Sequence, residues 1–205
     1  GALRVDLEQE GRLRGLFAFW HTLRLFQREE KILLRDLPGI LKTIDAVCAD
    51  QLLPAAMDIA EVHGMPAAVL CNALPLNLDP AVPPFVTTWG PADTSKWRRL
   101  RNRAANIAIV AAAAPLYLVL NRYRAANGLS RHRASSAQAV GHIQVTQIPI
   151  FVDFPRTTLP DHFFYTAPWH ESDRDCGVAF PWDRLDGRPI IYAAFGSVQT
   201  RLQSL

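Results

Sequence analysis

Apolar residues at Leu13, Leu16, Phe17, Trp20, Leu23 and Phe26 recur at spacings of three and four, which predicts a helix with one apolar face. The helical style continues over 29–44, but Asp36-Leu37-Pro38 interrupts it. An acid suited to capping and a proline tolerated in a first turn predict a break there and a new helix start. The pattern then changes. Residues 46–50 are a short apolar run ending in an acid, Pro54 opens an alanine-rich stretch, Gly64 stands where a C-terminal cap belongs, and 67–71 is a second apolar run. Strand, helix and strand within about thirty residues make a βαβ unit, which requires a parallel sheet and a right-handed crossover. Asp50 then stands at the carboxyl end of a strand, the edge where α/β sheets place their ligands.

Beyond this unit, prolines at 75, 80, 83, 84 and 91 predict an extended loop over 73–91. A long helix is expected over 95–127, closed by Gly128, followed by short strands within 141–149 and 163–166. Residues 169–188 are charged and rich in turn formers, the composition of a linker, and 190–195 read as a fresh buried strand running into Gly196-Ser197. The apolar stretch 104–120 falls just short of the roughly 18–20 residues of a spanning helix and contains Asn106 and Pro115. It reads as a buried or kinked core helix, with a surface that touches membrane and, behind that, a true span as the alternatives.

Composition narrows the class. With 205 residues, 49% apolar and 20% charged, the chain can build one sizeable domain with its own core. The formal charge is +3, its basic excess gathered in 96–103 and 122–133. No aromatic ladder, helix-turn-helix or zinc pattern accompanies those arginines, so solvated helix faces are expected rather than a nucleic-acid partner. Cys48, Cys71 and Cys176 are odd in number and form no CxxC pair, so neither a disulfide framework nor a zinc site is indicated, and a reducing, cytoplasmic setting is expected. The first ten residues carry no apolar run of the signal-peptide kind, and the chain opens without Met inside a helical stretch, as a piece of a longer protein would.

Two places carry candidate chemistry. An acid at a strand's carboxyl end can orient an imidazole and stabilise its charged form; equally, Asp50 can simply cap the turn that follows. No histidine is spaced to be its partner: His63 lies at the other end of the next helix, and His21, His132, His142, His162 and His170 read as surface or packed residues. Gly196-Ser197 after a buried strand can bring backbone N–H groups and a hydroxyl to a phosphate, or can be an ordinary turn. The absence of GxGxxG, Walker A and GxSxG patterns removes the defining devices of dinucleotide oxidoreductases, P-loop enzymes and α/β-hydrolases.

Four blocks, ADQLLPAAMDIAEVHGMP (49–66), CNALPLNLDPAVPP (71–84), FVDFPRTTLPDHFFYTAPW (151–169) and FPWDRLDGRPIIYAAFGSVQT (180–200), stand in one order that resembles the bacterial UDP-glycosyltransferase family, in particular its carotenoid-glucosylating branch. The resemblance implies a GT-B architecture: an α/β, Rossmann-like parallel sheet with flanking helices. Residues 1–168 would be a partial N-terminal acceptor-binding domain, 169–188 the interdomain linker, and 189–205 the start and first strand of the C-terminal nucleotide-sugar-binding domain. It also implies transfer of a hexose, expected to be glucose, from a UDP-sugar to a hydroxyl of an apolar acceptor such as a carotenoid, with inversion. Asp50 would orient a catalytic histidine that the chain does not contain, Gly196 and Ser197 would bind the donor, and Asn72 and Pro75 would line the acceptor side. The UDP-sugar is a co-substrate; no metal and no further cofactor is implied, and peripheral membrane contact stays open. Without the histidine and the later donor-gripping segment, this chain alone is expected to be inactive. Ala167, Ala194 and Phe195 depart from the family's usual residues. The rival expectation is a non-enzymatic lipid- or pigment-binding module.

Overall fold

A computed structural model of the chain describes residues 15–91, 95–132, 142–169 and 182–189. The contacts divide it into two units, 23–169 and the two ends 1–22 with 170–205. In the latter, the described residues are the first turns of helix α1, where Phe19 and Trp20 meet edge to face, and a 3-10 turn, Trp182–Arg184. Gly187 follows at φ +80°, and Arg188 folds back onto Asp186 at 2.7 Å. The strand expected over 190–195 lies outside the described residues.

The larger unit holds the sheet. Helix α1 (Gly15–Ile40) leads through a 3-10 turn, Leu41–Thr43, into β1 (Val47–Asp50), α2 (Pro54–Val62) and β2 (Ala67–Cys71). After the proline-rich loop come α3 (Lys96–Ala112), α4 (Ala114–Ala126), β3 (Ile143–Thr146) and β4 (Phe163–Tyr165). All four strands are parallel in the order β1-β2-β3-β4, so the fold is α/β with flanking helices, as the βαβ reading requires. Gly64 at φ +63° turns the chain out of α2, a conformation that only glycine adopts without strain, and Met65 N–H returns to Ala60 O at 2.9 Å.

The core forms where α2 lies on β1 and β2. Val47, Ala49, Ala56, Met57, Ile59, Ala60, Val69 and Cys71 are buried together, with Leu34 and Leu37 of α1 and Tyr123 of α4 packed against them. The alanines of α2 let its backbone approach the sheet closely, and that burial, roughly 25 cal/mol per Å² of apolar surface, holds β1 and β2 in place.

Two expectations are corrected. The helix does not break at Asp36: α1 runs through Pro38 to Ile40. Asp36 pairs with Arg35 at 2.6 Å instead of capping a new helix, and Pro38, falling in the last turn, forfeits only its own N–H bond. Nor is 95–127 one helix. Ser95 caps α3 by accepting from Arg98 N–H at 3.4 Å, but at Ala113 the axis bends by 60°, because Pro115 fits the opening turn of a new helix and not the interior of an old one. Among the described residues no single helix is long and apolar enough to cross a membrane; the bent pair α3–α4 reaches that length and composition only when its two helices are taken together, as core helices of soluble proteins also do.

Candidate functional site

The carboxyl edge of the sheet presents one polar side chain after each strand. Asp50 ends β1, Asn72 follows β2, Gln147 follows β3 and Thr166 follows β4. The register Asp50↔Leu70 brings Asn72 within reach of Asp50, and its Nδ2 donates to Asp50 Oδ2 at 2.9 Å. Leu52 N–H donates to Asp50 Oδ1, also at 2.9 Å, so the turn-capping role is real. Each carboxylate oxygen has two lone pairs, and the pair of bonds leaves Asp50 capacity to accept from an imidazole N–H. The row continues as Gln147 Nε2 donates to Asn72 O at 3.3 Å and Trp169 N–H to Gln147 Oε1 at 3.2 Å. Beneath it Thr146 ties the strand ends, donating to Cys71 O and accepting from Ile148 N–H, both at 3.1 Å. Burial, aided by the Asp50 charge, pushes the Cys71 thiol up to about 11, so it is no nucleophile at neutral pH.

The proline-rich loop that starts at this edge is held from both ends. Gln51, buried beside Asp50, donates to Leu74 O at 3.1 Å and accepts from Leu76 N–H at 3.0 Å. Further along, the Arg156 guanidinium donates to Pro75 O at 2.6 Å and Asn77 O at 2.9 Å while paired with buried Asp153 at 2.7 Å. Tyr165 of β4 donates its hydroxyl to the same Asp153 at 2.6 Å, and burial with that carboxylate contact raises its pKa to about 12. Asp79 closes the loop onto 157–158, accepting from the backbone N–H groups of Ala81, Thr157 and Thr158 at 2.7, 2.5 and 2.8 Å. Desolvation alone would raise its pKa; the three backbone donors outweigh that and hold the carboxyl below its ordinary value.

Between this loop and α3 lie two adjoining depressions. One, of about 170 Å³, is lined by Leu74, Pro75, Leu76, Val82, Pro84 and Phe154; the other, of about 460 Å³, by Leu78, Pro80, Arg103, Asn106, Ile107 and Val110. Leu78, Asp79 and Asn106 line both. The walls are mainly aliphatic with a few polar groups, the make-up of small-molecule sites.

Of the residues expected to carry function, Asp50 and Asn72 are in direct contact at the strand ends, and Pro75 is buried in the wall of the smaller depression. Gly196 and Ser197 lie outside the described residues. Sequence reasoning missed the buried partners that shape the loop, Gln51, Asp79 and Arg156. Their only signal is a polar residue flanked by prolines or by a strand end, which is common in turns. It also missed a buried cluster between α2 and α4. Arg124 meets Asp58 at 2.6 Å and Glu61 at 2.8 Å, and His132 Nε2 lies 2.7 Å from the same Asp58 oxygen. Desolvation works against the Arg124 charge, and the bonds to Glu61 and Asp58 overcome it. His132 is thus a packed histidine, as expected, and belongs to this clamp rather than to the sheet edge. No group of three or more His, Cys, Asp or Glu poised for a metal occurs among the described residues.

No family model matches the chain. Two curated proteins do. Zeaxanthin glucosyltransferase of Pantoea ananas is 27% identical over 184 residues, which is 84% of this chain and 40% of that protein. Zeaxanthin glucosyltransferase of Pseudescherichia vulneris is 29% identical over 165 residues, 80% of this chain and 38% of that protein. The chain spans about two-fifths of the length of the relatives it matches. Along at least four-fifths of its own length, the chain is therefore similar to zeaxanthin glucosyltransferases, as its motifs indicate.

Proposed function

We propose that the complete protein is a UDP-dependent glycosyltransferase that moves a hexose, glucose, onto a hydroxyl of an apolar acceptor such as a carotenoid. The observation that carries the reading is Asp50: an acid at the carboxyl edge of a parallel sheet, oriented by Asn72, at the mouth of a loop whose walls are aliphatic. The similarity to two zeaxanthin glucosyltransferases favours this reaction and this class of acceptor. In this reading 1–168 belong to the acceptor domain, 169–188 are the linker and 189–205 begin the donor domain. Asn72 and Pro75 stand on the acceptor side, with the depressions between the loop and α3 receiving the apolar body of the substrate.

The chemistry is a direct displacement. A histidine that these 205 residues do not supply takes the acceptor hydroxyl proton as the oxygen attacks the anomeric carbon. The bond from that carbon to the diphosphate oxygen breaks with inversion, and UDP leaves with the electron pair. Asp50 fixes the histidine's tautomer and stabilises the imidazolium as it forms. Backbone and hydroxyl donors at Gly196 and Ser197 stabilise the leaving diphosphate. No step needs a metal. An acceptor of this kind partitions into lipid, so peripheral membrane contact is part of the reading.

The test is transfer of radiolabelled glucose from UDP-glucose to zeaxanthin, with the full-length protein and this 205-residue chain assayed side by side. Transfer by the full-length protein alone is the expected outcome. Tight pigment binding without transfer by either would replace the enzyme with a binding module.

A further inference from the structure

Helix α3 is built with its apolar side outward. Leu100, Ala104, Ile107 and Ala111 follow one another at helical spacing along one face, and all four are exposed, Leu100 by 57% and Ile107 by 61%. The residue that α3 buries is instead polar: Asn102, fully enclosed, donates to Pro80 O at 3.4 Å. A helix of a soluble domain ordinarily turns the other way, so this stripe needs a cover. Trp97 extends it at 73% exposure, and the loop adds Trp89, whose ring stacks on the Arg101 guanidinium at 4.1 Å.

Charge identifies the cover. The first half of α3 carries Lys96, Arg98, Arg99, Arg101 and Arg103, and the helix contains no acidic residue. Cations, an outward tryptophan and an aliphatic stripe on one short helix are what a headgroup layer with acyl chains beneath it complements. A nucleic acid would match the cations but would leave Leu100, Ala104 and Ile107 in water.

We propose that the outward face of α3 seats the protein on an anionic lipid bilayer, with Trp97 and Leu100 entering the interface and Lys96 and Arg99 meeting the headgroups. Ile107 belongs both to this face and to the wall of the larger depression, so that depression opens at the lipid surface. A lipid-dissolved acceptor would then enter it without crossing water. This makes specific the membrane contact of the preceding reading, but its test does not depend on turnover.

The experiment is sedimentation of the full-length protein with phosphatidylcholine vesicles, with and without phosphatidylglycerol. Binding to the mixed vesicles should exceed binding to pure phosphatidylcholine and fall with added salt. Trp97→Glu with Leu100→Glu should weaken it at least about tenfold with an unchanged thermal melt. Lys96→Glu and Arg99→Glu should each weaken binding about fivefold or more on the anionic vesicles. Transfer to an acceptor presented in detergent micelles should be the same for all variants and wild type. Equal sedimentation of wild type and Trp97→Glu/Leu100→Glu, or no sedimentation at all, overturns the proposal. So does self-association that the same pair of substitutions abolishes, because a second copy would then be the cover. Failure of micellar transfer with intact vesicle binding counts against the transferase reading alone.

Discussion

Asn72 Nδ2 reaches Asp50 Oδ2 at 2.9 Å from the end of the neighbouring strand, while Leu52 N–H occupies the other oxygen of the same carboxylate. The carboxylate is thereby held from two directions, one local to its own turn and one through the β1–β2 register. In the proposed reading Asp50 orients a histidine; an acid in that role must not rotate with each turnover, and this pair of bonds would supply the fixity.

Asp50→Ala in the full-length protein should cut kcat by about 10³-fold or more, the scale seen when the acid behind a catalytic imidazole is lost. The fold should survive, since the substitution removes bonds at a partly exposed strand end, each worth about 1 kcal/mol. Steady-state kinetics with circular dichroism decides it. Unchanged turnover would remove Asp50 from the mechanism.

Asn72→Ala separates orientation from chemistry. It leaves the carboxylate and its turn bond intact but frees one oxygen, so kcat should fall by roughly tenfold, about the worth of one hydrogen bond to a charged group. Asn72→Gln offers the same amide at a different reach and should not restore the rate. An effect confined to KM would mark Asn72 as an acceptor contact only.

The Arg124 clamp predicts a stability effect far from the site. Arg124 is buried against Asp58 and Glu61, so Arg124→Met takes the guanidinium from the buried Asp58 carboxylate and leaves it the His132 imidazole. Destabilisation of about 3–5 kcal/mol is expected by urea titration. Asp58→Asn in the same chain should recover part of it, because the buried charge is then gone. Full additivity of the two losses would show that the residues do not act as a pair.

Much of the architecture is legible because it rests on local signals. The alternation of apolar runs with the alanine-rich stretch ending at Gly64 specifies β1, α2 and β2, and the strand-end position of Asp50 follows from that alone. The bend at Ala113 agrees with the kinked alternative that Pro115 signals, but not with one continuous helix over 95–127; a proline inside an apolar run fits both a kink and a new first turn, so its position alone does not say which. Long-range partners were hidden more deeply. Arg124 and Asp58 are 66 positions apart, and Thr157 meets Asp79 across 78. Such pairs are created by the stacking of α4 on α2 and of one loop on another, not by spacing along either. The outward apolar face of α3 was misread for a related reason. Periodicity shows that a helix has an apolar side, but which side turns inward is decided here by Asn102 donating to Pro80 O of the proline-rich loop.

The last prediction concerns Glu30, which α1 buries completely at the start of α2. Its Oε2 accepts from Ala55 N–H at 2.8 Å, so it satisfies one of the free donors of that helix end. Desolvation nevertheless dominates that bond, and the charge of Asp58 adds to it, raising the pKa from 4.5 to about 8. Because the folded-state pKa lies above the unfolded one, the folded chain binds the proton more tightly. The resulting stability is fully present below the unfolded value and declines as pH rises toward 8, by up to ~1.4 kcal/mol per pH unit. Glu30→Gln keeps a carbonyl for Ala55 N–H and removes the titration, though it adds N–H donors that need partners. The informative quantity is therefore the difference between wild type and variant across pH. That difference should move in the variant's favour by on the order of 3–4 kcal/mol between about pH 5 and pH 8, measured by urea unfolding at each pH. Parallel stability curves would show that Glu30 is already ionised in the folded chain, and that the α2 terminus, rather than a proton, compensates its burial.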